Sequence, residues 1–126
     1  MKQAHSTKWK ASVQPRKQRK YLHNLPYHRQ GSQLSVHLSP ALREKHKTRA
    51  LRVRKGDKVR VLRGTHRGKE GIVDHVDVRN ARIHVSKVEH AKREGGTAPY
   101  PLRPSNCMLI QLVEDKRRFA KKEEKK

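Results

Sequence analysis

Two segments of alternating apolar and polar residues flank a glycine-rich stretch near the middle of the chain. In the first, GDKVRVL, Val59 and Val61 share one face, as the two-residue period of a β-strand requires. The second, GIVDHVDV, supplies the apolar residues Ile72, Val73, Val76 and Val78. The connection, RGTHRGKEG, holds Gly64, Gly68 and Gly71. The pattern predicts two strands joined by a turn-rich loop.

Further short strands follow. Arg79–Ala81 predicts a tight turn, with Asn80 tolerant of a positive φ. The next segment, ARIHVSKVEH, predicts a third strand with Ile83 and Val85 on its inner face. The apolar run CMLIQLV predicts a last strand with the core residues Met108, Leu109, Ile110 and Leu112. Short strands with glycine at the turns indicate a mainly β fold, a small barrel rather than a sandwich.

Residues 94–106 connect the third predicted strand to the last. Their sequence, EGGTAPYPLRPSN, contains three prolines, which remove backbone donors, and a Gly-Gly pair, which adds conformational freedom. The segment is therefore predicted to be a loop rather than a central strand or a helix. We expect Tyr100 and Leu102 to fix it to the body.

The charge of the chain restricts its partners. It carries 33 Lys+Arg against 11 Asp+Glu, a formal charge of +22, and only 32% hydrophobic residues. Globular domains usually have roughly 45–50% apolar residues, so part of this chain is expected to take its order from a partner. A polyanion would relieve the self-repulsion, which favours nucleic acid. An anionic membrane surface is the alternative, but no apolar run approaches the roughly 20 residues of a spanning helix.

The charge is distributed unevenly. The Lys+Arg and Asp+Glu counts are 15 and 1 in residues 1–55, 11 and 7 in residues 56–114, and 7 and 3 in residues 115–126. This predicts a basic arm at 1–50, a barrel at 51–114 that includes the 94–106 loop, and a charged tail at 115–126. No apolar signal-peptide segment lies near Met1, so the chain is expected to act inside the cell.

The arm contains local helix signals. Pro15 and the Ser39-Pro40 pair suit helix starts, and the intervening stretch breaks at Pro26 and Gly31. Helices this short do not persist alone in water, where roughly 12–15 residues is the lower limit. We therefore expect residues 1–45 to be disordered in the free protein and to fold against a partner.

The sequence offers no set of catalytic or metal-binding residues. Cys107 is the single cysteine, and no pair among the nine histidines has the HExxH spacing of a zinc site. The acidic residues Asp57, Glu70, Asp74 and Asp77 come without a nucleophile or base partner, so they are expected to form ion pairs. An enzyme is not expected, nor is a cofactor.

The segment GDKVRVLRGTHRGKEGIVDHVDVRNARIHV resembles a KOW motif, the strand–loop–strand unit of SH3-like barrels. The flanks PRKQRKYLHNLPYHRQ and LSPALREKHKTRALRVRKGD, together with RPSNCMLIQL, resemble the archaeal and eukaryotic large-subunit ribosomal proteins numbered twenty-four in the universal scheme and twenty-six in eukaryotic naming. Arg103 stands where this family often has His. The resemblance covers about Pro15 to Asp115, and the roles of residues 1–14 and of the KKEEKK end stay open.

The resemblance implies an SH3-like fold and a structural role on the ribosome. The family binds the 5′ part of the large rRNA, acts early in subunit assembly, and lies near the nascent-peptide tunnel exit. The resemblance implies a location in the cytoplasm, on the ribosome, with the large rRNA, neighbouring large-subunit proteins and factors that dock at the exit as partners. The alternative is a transcription elongation factor module of the NusG kind, which should carry another domain or more KOW repeats.

Residue types and placement predict an RNA-binding set in the arm and in the glycine-rich loop. Basic groups neutralise phosphates, and loop glycines, hydroxyl and imidazole groups allow close approach and hydrogen bonding. The predicted set is Arg16, Lys17, Arg19, Lys20, Arg29, Arg49, Arg52, Arg54, Arg63, Gly64, Thr65, His66, Arg67, Gly68 and Lys69. Three aromatic residues of the arm, Trp9, Tyr21 and Tyr27, either stack on exposed bases or anchor the arm to its own domain.

Overall fold

The computed structural model describes residues 5–9 and 11–119. The strands are β1 (Ser35–Leu38), β2 (Ala50–Arg52), β3 (Lys58–Val61), β4 (Glu70–Asp77), β5 (Arg82–Val85), β6 (Glu89–Ala91), β7 (Thr97–Pro99) and β8 (Cys107–Gln111). The α-helices are α1 (Pro15–His23), α2 (Tyr27–Gln30), α3 (Pro40–His46) and α4 (Lys116–Phe119), and 3₁₀ turns lie at Gly31–Leu34 and Pro104–Asn106. The described part of the chain is thus mainly β, as predicted.

Six strands form one sheet in the order β2-β1-β8-β3-β4-β5, and β6 and β7 form a separate antiparallel ribbon. The predicted pair around the glycine-rich loop is β3 and β4, which run antiparallel with Val59 opposite Gly71. All neighbours in the sheet are antiparallel except β1 and β8, which are parallel. The sheet is consistent with a small barrel, and its assignment to the SH3-like and KOW class stays a prediction.

The inner face of the sheet forms one hydrophobic core. Val59 and Val61 are fully buried there, as the alternation predicted. Ile72 is 52% exposed, because its neighbour Val73 takes the inner face of β4 and adjacent strand residues point to opposite sides. The core consists of Leu34, Val36, Leu38, Val53, Val59, Val61, Val73, Ile83, Val85, Val88, Leu102, Cys107 and Leu109. Of the four residues of the last strand predicted to be core, Leu109 belongs to it and Leu112 packs against it, but Met108 and Ile110 are only half-buried and outside it, because adjacent strand residues point to opposite sides.

The sheet includes a segment that the sequence analysis assigned to the arm. Strand β1 lies between β2 and β8, and Leu34, Val36 and Leu38 are fully buried. These residues recur at every second position, which is itself a strand signal that the basic character of the arm as a whole obscured. The expected disorder of residues 1–45 therefore does not extend to β1. It remains a prediction for the chain before Leu25, of which residues 1–4 and 10 lie outside the described residues.

The third predicted strand is divided into two. Strand β5 ends at Val85, and a turn with Lys87 at φ 64° separates it from β6. The turn before β5 also differs from the prediction, because the positive φ of 51° falls on Ala81 instead of Asn80. Asn80 stabilises that turn through its side chain, whose Nδ2 donates to Asp77 Oδ2 at 2.6 Å.

The 94–106 segment is fixed to the body through Leu102, as predicted. Leu102 is buried, and its N–H and carbonyl exchange hydrogen bonds of 2.9 and 3.0 Å with those of Ile83. The Tyr100 N–H donates to the Val88 carbonyl at 2.9 Å, while the ring stays 37% exposed. Within this segment, Thr97–Pro99 forms β7, which pairs with β6 in the separate ribbon, and Leu102 forms an isolated antiparallel bridge with Ile83.

The helices begin where proline predicted them. α1 starts at Pro15 and α3 at Pro40, after the N-cap residue Ser39. The Ser39 side chain makes no capping bond, and its carbonyl accepts the Arg43 N–H at 2.9 Å. Helix α1 buries none of its residues. Within the described residues, no helix is long and apolar enough to cross a membrane.

The beginning of the charged tail is bound to the body. Arg118 in α4 donates from Nη1 to Asp57 Oδ1 at 2.8 Å and from Nη2 to Asp57 Oδ2 at 2.6 Å. The two side chains are 4% and 0% exposed. The Phe119 ring also stacks on the His46 ring with centroids 4.4 Å apart. The remaining tail residues, 120–126, lie outside the described residues.

Candidate functional site

The glycine-rich loop, residues 62–69, projects from the β3–β4 hairpin as an exposed turn. Its base is closed by the Gly68 N–H, which donates to the Val61 carbonyl at 2.8 Å, and by the Val61 N–H, which donates to the Lys69 carbonyl at 2.9 Å. Gly64 and Gly68 have φ values of 94° and 86°, a region that favours glycine. A β-carbon at either position would meet open space, so the backbone is accessible to a large ligand.

The polar side chains of the loop face solvent, and one ring is held from the side. Arg63, Thr65, Arg67 and Lys69 are exposed. The His66 ring is half-buried and lies edge-on to Tyr100, with centroids 4.9 Å apart. Tyr100 is also 6.2 Å from the His90 ring, so the loop rests against the β6–β7 ribbon. The structure thus gives the predicted loop residues a fixed base and an open, basic tip.

Helix α1 presents a second basic surface. Arg16, Lys17, Arg19 and Lys20 are all exposed. Among the residues that the structure describes, none of the four forms a salt bridge. Their charges are therefore available to an external anion, which is the condition that the sequence prediction required.

Two of the three arm aromatics contact each other. The Trp9 and Tyr21 rings stack with centroids 4.0 Å apart and planes 13° apart. His5 packs on the same tyrosine at 5.1 Å. These two rings thus fix the residues before α1 to that helix, within the arm itself, and neither predicted role, stacking on bases or anchoring the arm to the domain, is tested by this contact. Tyr27 is 70% exposed, and stacking on a base stays a prediction for it.

The remaining predicted arginines have different surroundings. Arg49 is exposed on the approach to β2, and Arg29 lies with Nη1 3.4 Å from the His5 Nε2. The Arg52 guanidinium packs against Gly31, in the space that a β-carbon would take. Arg54 forms a salt bridge with Asp115 of the tail. Arg54 is therefore partly neutralised within the chain, which weakens it as a phosphate ligand.

Of the four acidic residues expected to form ion pairs, Asp57 and Glu70 do so, while Asp74 is exposed and forms no salt bridge with a described residue. Arg60 Nε donates to Glu70 Oε1 at 2.7 Å, and this hydrogen bond lowers the pKa of Glu70. Asp57 pairs with Arg118, as described above. Asp77 differs, because its main partner is the Asn80 amide, whose hydrogen bond lowers the pKa of Asp77. Among the described residues, no three His, Cys, Asp or Glu side chains are grouped to hold a metal ion.

A basic cleft of about 360 Å³ was not predicted from the sequence. It lies between the end of α1, the 3₁₀ turn before β1, the β4–β5 turn and the 103–105 segment. Arg79, Arg82 and Arg103 line it. No local pattern connects these three arginines, which are separated by up to 24 positions, so the sequence carried no signal for the cleft.

Comparison with known proteins identifies the family of this chain. A family model for the eukaryotic ribosomal proteins L26 and their archaeal L24 counterparts matches residues 12–125. The chain belongs to this family. The match covers the arm helices, the sheet and the tail together, and it confirms the resemblance that the KOW-like segment and its flanks carried.

Archaeal relatives agree with this family assignment. A protein of Methanospirillum hungatei is 52% identical over 111 residues, 87% of this chain and 92% of that protein. One of Methanosphaera stadtmanae is 44% identical over 108 residues, 85% and 92%. One of Methanocorpusculum labreanum is 47% identical over 102 residues, 81% and 84%. Each of the three is named large ribosomal subunit protein uL24.

Proposed function

We propose that this protein is a structural constituent of the large ribosomal subunit that binds the 5′ region of the large rRNA. It supports early subunit assembly, lies near the nascent-peptide tunnel exit, and acts in the cytoplasm as part of the ribosome. The observation that carries the proposal is the match to the ribosomal protein family over residues 12–125. The names of the archaeal relatives support the large subunit as the location.

The mechanism is neutralisation of RNA phosphates by two basic surfaces, the glycine-rich loop and the arm, which folds on the RNA. Phosphate contacts supply most of the affinity of such proteins, while fit to RNA shape supplies much of the placement. The exposed, unpaired cations of α1 and the open tip of the glycine-rich loop meet these requirements. The α1 cations and the loop are the parts of the predicted set that the geometry supports best, and Arg54 is the part it supports least.

The partners follow from this placement. The large rRNA is the main partner, and neighbouring large-subunit proteins pack against the barrel. Factors that dock at the tunnel exit are further partners. No chemical step is assigned to any side chain, and Asp57, Glu70 and Asp77 are held in ion pairs or a turn. The elongation factor alternative has no supporting observation, since the family match is to ribosomal proteins over nearly the whole chain.

Co-sedimentation tests the proposal. An epitope-tagged form of the full chain, expressed in an archaeon that carries this family, should sediment with the large subunit after subunits are separated and washed in high salt. The small subunit and the free fraction should be depleted of it. Sedimentation with neither subunit, or recovery with RNA polymerase instead, would contradict the proposal, and the second result would favour the elongation factor alternative.

A further inference from the structure

The basic cleft described above has the charge pattern of an anion site. Among the described residues, the guanidinium groups of Arg79, Arg82 and Arg103 make no salt bridge and no side-chain hydrogen bond. Asp77 lies opposite Arg82 in the β4–β5 pairing, but its oxygens accept from the Asn80 N–H at 3.1 Å and Nδ2 at 2.6 Å. Three cations thus border one concave surface that has no acidic lining residue.

The cleft also offers more than charge. Leu22, Ala81 and Pro104 give it apolar surface, and Leu22 is 45% exposed there. The Gln33 amide and the Ser105 hydroxyl line it and make no hydrogen bond to another described residue. Apolar walls with a few convergent polar groups are typical of small-ligand sites, which occupy roughly 300–1,000 Å³. A volume of about 360 Å³ suits one nucleotide better than a helical stretch of RNA.

The position of the cleft connects the two predicted RNA-binding surfaces. One wall is the end of α1, the helix with the unpaired cations. The opposite wall is the 103–105 segment, and the next residue, Asn106, accepts the Leu62 N–H at 2.7 Å where the glycine-rich loop begins. The cleft therefore adjoins the end of α1 and, through Asn106, the start of the glycine-rich loop.

We propose that this cleft binds one unstacked nucleotide of a single-stranded or bulged stretch of RNA. The arginines hold its phosphates, the apolar wall supports the base, and the Gln33 amide bonds the base edge. Unstacked bases are the features that proteins recognise in RNA beyond its backbone, because the deep groove of an RNA helix is closed to side chains. The inference rests on the proposed function and adds a specific contact to it.

The first test uses nucleotides with the full chain. Adenosine and uridine 5′-monophosphate and inorganic phosphate are titrated while the arginine Nε–H and backbone amide signals are followed by NMR. The nucleotides should shift the signals of Arg79, Arg82, Arg103 and the Gln33 side chain at lower concentration than phosphate does. Equal shifts at all exposed arginines, or no difference between nucleotide and phosphate, would overturn the inference.

The second test uses binding to a 5′-domain fragment of the large rRNA. Arg82→Gln with Arg103→Gln should weaken binding at least about tenfold and lower the steepness of the salt dependence by about 2, one per phosphate contact. The matched control, Lys92→Gln with Arg93→Gln on the exposed tip of the β6–β7 ribbon, should change the affinity less than about twofold. Arg103→Lys keeps the charge but loses the planar guanidinium group. Its affinity should therefore lie between those of the unaltered protein and of Arg103→Gln.

The outcomes separate this inference from the proposed function. If the unaltered protein binds the fragment and the Arg82/Arg103 variant binds equally well, the proposed function stands and the cleft inference fails. If the unaltered protein does not bind the fragment, the proposed function itself fails and the cleft inference fails with it. Circular dichroism and the melting temperature identify misfolding of the double variant. In that case the single change Arg103→Gln, at an exposed residue, replaces the double variant. The logarithm of its affinity should fall by about half of the decrease expected for the double variant.

Discussion

Asp57 is the only acidic side chain that the described part of the chain buries completely. Its two oxygens accept from both Arg118 guanidinium nitrogens and from the N–H groups of Arg54 and Val113 at 2.8 and 3.1 Å. A buried carboxylate is stable only when it is paired and hydrogen-bonded. Asp57 therefore links the β2–β3 connection, the end of β8 and the tail helix α4 at one point.

Removal of this charge should destabilise the fold strongly. Asp57→Asn is expected to lower the free energy of unfolding by about 3–5 kcal/mol, because it leaves the Arg118 charge buried without a partner. Urea unfolding measures the change. The double change Asp57→Asn with Arg118→Met should cost clearly less than the sum of the two single changes. Glu70→Gln, which removes an exposed ion pair, serves as the control and should have a small effect. A loss for Asp57→Asn no greater than for the control would contradict the buried linkage.

Cys107 gives a prediction for alkaline pH. Burial raises the pKa of its thiol from 9.0 to about 11. A raised folded-state pKa means that the folded protein holds the proton more tightly, so this contribution is complete below pH 9 and is lost as the pH rises through 11. The stability difference between the unaltered protein and Cys107→Ala should therefore shrink over that window, by at most about 2.5 kcal/mol. Urea unfolding at pH 7.5, 9 and 10.5 measures it, and a constant difference would show that the thiol does not titrate as expected.

Strand β1 and helix α1 show why the arm has two parts. Both lie in the basic first half of the chain, where composition alone suggested a single disordered segment. The alternation of Leu34, Val36 and Leu38 gives β1 an apolar face, so that it pairs with β8 and enters the core. Helix α1 has nine residues and buries none of them, so tertiary packing contributes little to its stability.

Hydrogen exchange should distinguish these two elements in the free protein. The amides of β1 are expected to exchange slowly, close to the rate for global unfolding, because they lie inside the sheet. The amides of α1 should exchange within seconds to minutes and become protected when the 5′-domain rRNA fragment is added. Protection of α1 in the free protein equal to that of β1 would contradict folding on RNA for this helix.

The whole molecule combines a +22 charge with unpaired cations on several exposed elements. Binding through phosphates releases counterions, so the logarithm of the affinity falls linearly with the logarithm of the salt concentration. Each contact contributes a slope of about −0.7 to −0.9. The distribution of the cations therefore predicts which parts of the protein determine the salt dependence.

Removal of arm charges should flatten that dependence. The triple change of Arg16, Lys17 and Arg19 to Gln is expected to reduce the slope for the rRNA fragment by about 2–3. The same number of charges removed at Lys87, Lys92 and Arg93 should leave the slope nearly unchanged, because these residues lie outside the predicted surfaces. Fluorescence anisotropy at several salt concentrations measures both. Equal slopes for the two variants would show that binding depends on total charge and not on the arm.

Sequence periodicity was sufficient for the β3–β4 pair, the final strand and the starts of α1 and α3, because these depend on neighbouring residues. It was insufficient where one residue decides between two arrangements. Val73 rather than Ile72 faces the core, Ala81 rather than Asn80 takes the positive φ, and Lys87 divides the third strand. The pairing of β4 with β5 places Val73 opposite Val85 and Asp77 opposite Arg82, and no local pattern specifies this pairing.

The sequence by itself determined the mainly β character, the separation of a basic arm from a balanced body, and the family, because period, charge and motif are properties of contiguous residues. Only the tertiary structure placed β1 beside β8, joined Asp57 to Arg118 across 61 positions, and brought Arg79, Arg82 and Arg103 to one cleft. The pairing of distant segments depends on which apolar surfaces pack together in the core. That choice is made by the packed core as a whole, and for this reason the cleft could not be found in the sequence.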